Sequence, residues 1–120
     1  MTDTLLLPLY ETENFNKLID SLKENLSPVL ATGVINSQKA HLVHGITENI
    51  SAPSLIIAEN ELRAKEIYED ILFFKKDNVM LYPSKDIIFY SADIKSTDII
   101  RKRFEIISEI INAENKGKSD

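Results

Sequence analysis

Apolar residues follow two rhythms in this chain, helical stripes and short continuous runs, and the two alternate from one end to the other. Phe15, Leu18, Ile19, Leu22 and Leu26 recur at the three-and-four spacing of a helix face, with Asn14 placed to cap it. After Pro28 the pattern changes to Val29-Leu30-Ala31-Thr32, a compact run of the kind a buried strand shows. Helical spacing returns at Ala40, Leu42, Val43, Ile46 and Ile50, and Leu55-Ile56-Ile57-Ala58 is a second run, near-continuous as in a parallel strand covered on both faces. Asn60 can cap a following helix with Leu62, Ile67, Ile71 and Phe74 on its inner face and Glu59, Glu61, Arg63, Lys65, Glu66 and Glu69 on its wet one. Val79-Met80-Leu81-Tyr82 is a third short run, stopped by Pro83. A last helix opens at Ser96-Thr97-Asp98 and carries Ile99, Ile100, Phe104, Ile107, Ile110 and Ile111.

Alternation of this kind is the signature of βα units. It predicts an α/β domain, a three-layer parallel sheet with flanking helices and right-handed crossovers, over residues 1–112. Three strands make the sheet small or incomplete. Residues 113–120 offer nothing to bury and are expected to fray.

Composition narrows the class. The 120 residues are 43% hydrophobic and 28% charged, the balance of an ordinary globular domain with one core. With no cysteine, disulfides and thiolate metal sites are excluded. No apolar run reaches the length of a membrane span and the first residues lack the basic region of a signal peptide, so no membrane contact and a cytoplasmic location are expected. A formal charge of -5 disfavours nonspecific nucleic-acid binding, which rests on cations neutralising phosphates. Lys95, Arg101, Lys102 and Arg103 form a local exception diluted by Asp93, Asp98 and Glu105, and read as a solvated helix face. An acidic domain without an obvious heptad seam is expected to be a monomer.

The chemically informative stretch is Gly33-Val34-Ile35-Asn36-Ser37-Gln38-Lys39-Ala40, which keeps the outline of the phosphate-binding loop GxxxxGK[ST] and breaks two of its positions. Gln38 stands where a glycine lets the backbone approach a phosphate, and Ala40 has no hydroxyl for Mg²⁺. Gly33, Ser37, Gln38, Lys39 and Ala40 therefore form a vestigial loop from which tight Mg-nucleotide binding is not expected. A plain strand-turn-helix, with Gly33 making the turn and Lys39 solvated, accounts for the same residues.

Farther along, Ile57-Ala58-Glu59-Asn60, the helix Ala64 to Phe74, Tyr82-Pro83-Ser84-Lys85-Asp86, the aromatic pair before Ser91 and Asp98-Ile99-Ile100-Arg101-Lys102-Arg103-Phe104 stand in an order and spacing that resembles the start of the transcription-repair coupling factors (Mfd). The resemblance covers roughly Leu5 to Ile111 and implies the first domain of a UvrB-like module. That domain has a RecA/helicase-like, P-loop NTPase-type fold kept without ATPase activity, and is not an enzyme. The resemblance further implies a scaffold or regulatory role in nucleotide excision repair at stalled RNA polymerase. Its partners would be other domains of the same chain, UvrA through the adjoining domain, and RNA polymerase and DNA through later domains. No cofactor is expected here, ATP and Mg²⁺ belonging to the later motor domains. UvrB itself needs the second glycine and the hydroxyl that Gln38 and Ala40 deny.

Other chemistry has weaker support. His41 and His44 share a helix face, but no third metal ligand accompanies them and both are expected to pack or face solvent. No nucleophile elbow surrounds any serine, so no catalytic residue is assigned. Tyr82, Phe89 and Tyr90 could stack on bases or, with Arg101 and Arg103, contact DNA or another domain; completing a core is the favoured role for the aromatics.

Overall fold

A computed structural model of the chain describes residues 4–84 and 93–117 and divides it into two compact units, Met1–Val79 and Met80–Asp120. In the first unit a 3₁₀ turn at Thr4–Leu6 leads into the short helix α1 (Leu7–Tyr10), followed by α2 (Glu13–Lys23), α3 (Asn36–Asn49) and α4 (Glu61–Phe74). The second unit holds the long helix α5 (Asp93–Gly117).

The expected α/β fold is not what forms. Among the described residues there is no strand, so the three-layer parallel sheet and the RecA/helicase-like, P-loop NTPase-type architecture are overturned. Residues 28–32, 54–58 and 79–82 carry no regular structure, and Leu30, Leu55 and Ile57 are 86%, 84% and 87% exposed. A short apolar run raises the chance of a strand, but a strand exists only where a neighbour pairs its N–H and C=O groups. Among the described residues no such ladder closes on these runs.

Helical elements match the stripes far better, because each helix bonds to itself. In α2, Phe15 and Ile19 are buried and Leu18 and Leu22 half-buried, as their spacing requires. Thr12, not Asn14, occupies the N-cap, with extended backbone and a hydroxyl that donates to the Pro8 carbonyl at 3.1 Å. The helix stops before Leu26 because Asn25 takes φ +57°, the Leu26 N–H bonds the Ser21 carbonyl (2.9 Å), and the Asn25 N–H bonds that of Leu22 (3.2 Å). These two bonds are a Schellman ending, which asparagine supports through its tolerance of left-handed backbone. At α4, Asn60 caps as expected, its Oδ1 accepting from the Arg63 N–H at 2.9 Å.

The core of the first unit is small and centred on α3. Ala40, His44 and Gly45 are its buried positions, while Leu42, Val43 and Ile46 are half-buried. Small residues let neighbours come close: a Cβ on Gly45 would lie 2.8 Å from Leu9 Cδ1 and 2.9 Å from Phe15 Cζ. The Phe15 ring meets Tyr10 edge-on, with centroids 5.8 Å apart. Asn49 ties the same corner together, donating from Nδ2 to the Tyr10 hydroxyl (3.0 Å) and to the Gly45 carbonyl (2.7 Å). On the other side α4 packs against α3 through Ile71 and Phe74, and Lys75 pairs with Glu48 at 3.2 Å where both helices end.

In the second unit α5 begins at Asp93, ahead of the expected caps, and runs to Gly117 through the segment expected to fray. Ile99, Arg103 and Ile106 are half-buried, whereas Ile100, Phe104, Ile107, Ile110 and Ile111 are exposed.

Candidate functional site

The loop outline falls at the start of α3, so its helical half is present and its strand half is not. Gly33 turns the chain at φ +76°, a conformation natural to glycine, with open space where a Cβ would stand. Helix α3 then opens with Ile35 at its N-cap. In its first turn the Gln38 and Lys39 N–H groups both donate to the Ile35 carbonyl, at 3.0 and 3.1 Å. Gln38 closes the turn from the other side, its Oε1 accepting from the Ile35 N–H at 3.4 Å, the return half of a capping box. In a working phosphate loop such amides face the ligand. Here the residue replacing the second glycine commits its own side chain to one of them.

Ala40 stands where the pattern has a serine or threonine. It is 2% exposed, one of the best-buried of the described residues, so its side chain packs into the core instead of facing solvent. Ser37 and Lys39 remain exposed.

Beside this helix start lies a cleft of about 260 Å³ lined by Asn36, Lys39, Arg63, Glu66, Ile67, Glu69 and Asp70. Three carboxylates face two cations, and the Arg63 guanidinium pairs with Glu66. A polyphosphate placed there would meet net negative charge, the reverse of what phosphate binding requires.

His41 and His44 take a packing role. His41 Nε2 donates to the Leu5 carbonyl at 2.6 Å, and both imidazoles stack on Phe74, each with centroids 5.4 Å away and planes 12° and 21° off parallel. This His–Phe–His stack joins α3 to α4 and was not foreseen from the sequence; the aromatic at the end of the α4 stripe was its available signal. Nor was the close approach at Gly45, for which an isolated glycine inside a helical pattern was the clue.

In the second unit, the Arg103 guanidinium carbon sits 4.6 Å from the Tyr82 ring centroid. Its Nε donates to the Tyr82 hydroxyl at 3.0 Å and Nη1 to the Pro83 carbonyl at 3.4 Å. One face of Tyr82 is therefore taken by a cation from its own chain. Arg101 lies exposed between Asp98 (3.4 Å) and Glu105 (3.8 Å), the solvated helix face expected of it. Phe89 and Tyr90 lie outside the described residues. No described helix is long and apolar enough to cross a membrane.

Comparison with known proteins supports the resemblance read from the residues. The chain is 24% identical over 105 residues to the transcription-repair-coupling factor of Bacillus subtilis, covering 87% of this chain and 9% of that protein. The Rickettsia prowazekii transcription-repair-coupling factor is 29% identical over 79 residues, 65% of this chain and 7% of the relative. UvrABC system protein B of Anaplasma phagocytophilum is 24% identical over 104 residues, 85% of this chain and 16% of the relative. The chain thus spans less than a fifth of the length of each of these three relatives. No protein-family profile and no solved structure matches it.

Proposed function

We propose that this chain, a relative of the transcription-repair-coupling factors and of UvrB, is a noncatalytic scaffold or regulatory segment of a DNA-repair protein. The observation that carries the noncatalytic part is the start of α3. Gln38 accepts from the Ile35 N–H, the Gln38 and Lys39 amides bond the Ile35 carbonyl, and Ala40 is packed inside. With the Ile35, Gln38 and Lys39 amides engaged and no hydroxyl at position 40, the stretch is short of the donors and the metal ligand that hold a β-phosphate and its Mg²⁺ in a working loop.

On this reading the segment acts through surfaces. Its partners are other domains of the same chain, UvrA through an adjoining domain, and RNA polymerase and DNA through later domains, so that removal of stalled polymerase is linked to excision repair. ATP turnover belongs to those later domains and no cofactor is held here.

Calorimetric titration of the chain with Mg-ATP and Mg-ADP tests the proposal. No detectable heat at high micromolar protein is expected; micromolar binding would overturn it and restore a nucleotide-binding role for Lys39. The pair Gln38→Gly with Ala40→Thr serves as a control. The threonine enters a buried site and is expected to cost about 1–3 kcal/mol of stability by overpacking.

A further inference from the structure

Of the arginines in this chain, Arg63, Arg101 and Arg103, two face carboxylates. Arg63 pairs with Glu66, and Arg101 lies between Asp98 and Glu105. Arg103 differs: among the described residues its partners are a phenol ring, a hydroxyl and a main-chain carbonyl, all of them neutral. In a chain with 19 acidic and 14 basic side chains, a half-buried guanidinium without a counter-ion is a departure from its neighbours. Its contacts fix its position and leave donors over. A guanidinium carries five N–H groups in one plane. Nε gives one to the Tyr82 hydroxyl at 3.0 Å and Nη1 gives one to the Pro83 carbonyl at 3.4 Å, while Nη2 keeps both of its own. The Tyr82 oxygen accepts the Nε bond, so its own O–H proton stays available, and the residue is 44% exposed.

We propose that Arg103 and Tyr82 form a recognition site for a single oxyanion, a carboxylate or phosphate group, which takes the free Nη2 N–H groups and the Tyr82 O–H. Oxyanions are the natural partners of a guanidinium, because its planar fork matches their paired oxygens and the bonds are charge-assisted. Stacking on Tyr82, at 4.6 Å from the ring centroid, and the bond to Pro83 hold the fork in place beforehand. Such preorganisation lowers the entropy cost of binding. Charge restricts the ligand to one group. Asp98 and Glu105 stand on the same helix and the formal net charge is -5, so a nucleic-acid strand with its row of phosphates meets repulsion. A lone anion needs only the one uncompensated cation. The site shares no residue with the start of α3 and stands whatever that loop binds.

Inorganic phosphate and sodium acetate, titrated separately into the whole chain at constant ionic strength, test the site by NMR of the arginine Nε–H and backbone amide signals. Saturable shifts are expected at the Arg103 Nε–H and the Tyr82 amide, with a Kd for phosphate on the order of 1–10 mM, as suits a few charge-assisted hydrogen bonds. Arg103→Lys keeps the charge and loses the fork, and is expected to weaken binding about 10-fold. Tyr82→Phe keeps the ring and loses the hydroxyl, and is expected to weaken it about 3-fold or more. Arg101→Ala, which removes the neighbouring paired cation, is expected to leave the Kd within about 2-fold. Circular dichroism checks that each variant keeps its helix content. Binding of both ions assigns the site to oxyanions in general, and binding of phosphate alone to phosphoryl groups. Shifts that fail to saturate by about 50 mM of either ion, five times the weaker Kd expected, would overturn the proposal. So would shifts confined to Gly33 and Lys39, or a Kd that Arg103→Lys and Tyr82→Phe leave unchanged.

Discussion

Replacing Gly45 by alanine sets two physical effects against each other, and the geometry decides the sign. Glycine inside a helix is about 1 kcal/mol worse than alanine, so helix propensity alone makes Gly45→Ala stabilising. The added methyl would lie 2.8 Å from Leu9 Cδ1, 2.9 Å from Phe15 Cζ and 3.1 Å from Phe15 Cε2. Leu9 can swing its terminal methyl aside. Phe15 cannot move as freely: it is 4% exposed and its ring is set edge-on against Tyr10, whose hydroxyl is held by Asn49. Restoring ordinary contact requires the ring to retreat by roughly half an ångström in a close-packed site, and overpacking of this kind costs about 1–3 kcal/mol. The net expectation is a loss of about 1 kcal/mol, or a fall in Tm of roughly 4–8 °C for a unit of this size. Urea denaturation followed by far-ultraviolet circular dichroism gives the number, and the same substitution in a Phe15→Leu background is expected to cost less. A Gly45→Ala chain more stable than the parent by about 1 kcal/mol would refute the close approach of α1 and α2 to α3.

Three further sets of substitutions probe other joints. Asn60→Ala removes the acceptor for the Arg63 N–H and is expected to cost about 1 kcal/mol, with Asn60→Asp close to neutral; equal stability of all three chains would argue against the cap. The Glu48–Lys75 pair is partly exposed, so a double-mutant cycle should return a coupling below about 1 kcal/mol that shrinks in high salt. In the second unit, Arg103→Ala should speed amide exchange and proteolysis at residues 80–84 several-fold. Tyr82→Phe, which keeps the ring beneath the guanidinium, should do so less, and an equal effect would mean that the hydroxyl bond outweighs the stacking.

The candidate site was legible in its chemistry and not in its surroundings. That Gln38 and Ala40 depart from the GxxxxGK[ST] pattern is read from the letters alone, because a missing hydroxyl is missing in any fold. That Gln38 turns back to cap α3, and that Ala40 lies in the core, depended on where the helix began and what packed on it. His41 and His44 were recognised as sharing a face, but their common partner Phe74 is some thirty residues away in the chain and came into reach only through the packing of α3 on α4.

By itself the sequence determined α2, α3, α4 and the body of α5, the Asn60 cap and the buried face of α2, since each rests on hydrogen bonds and spacings within a few residues; the short α1 and the start of α5 at Asp93 were not read from it. The tertiary structure alone decided the fate of the apolar runs at 28–32, 54–58 and 79–82. Their hydrophobicity suggested burial in a sheet, yet pairing a strand is a contract between distant segments that no local pattern encodes, and among the described residues no strand pairs with them.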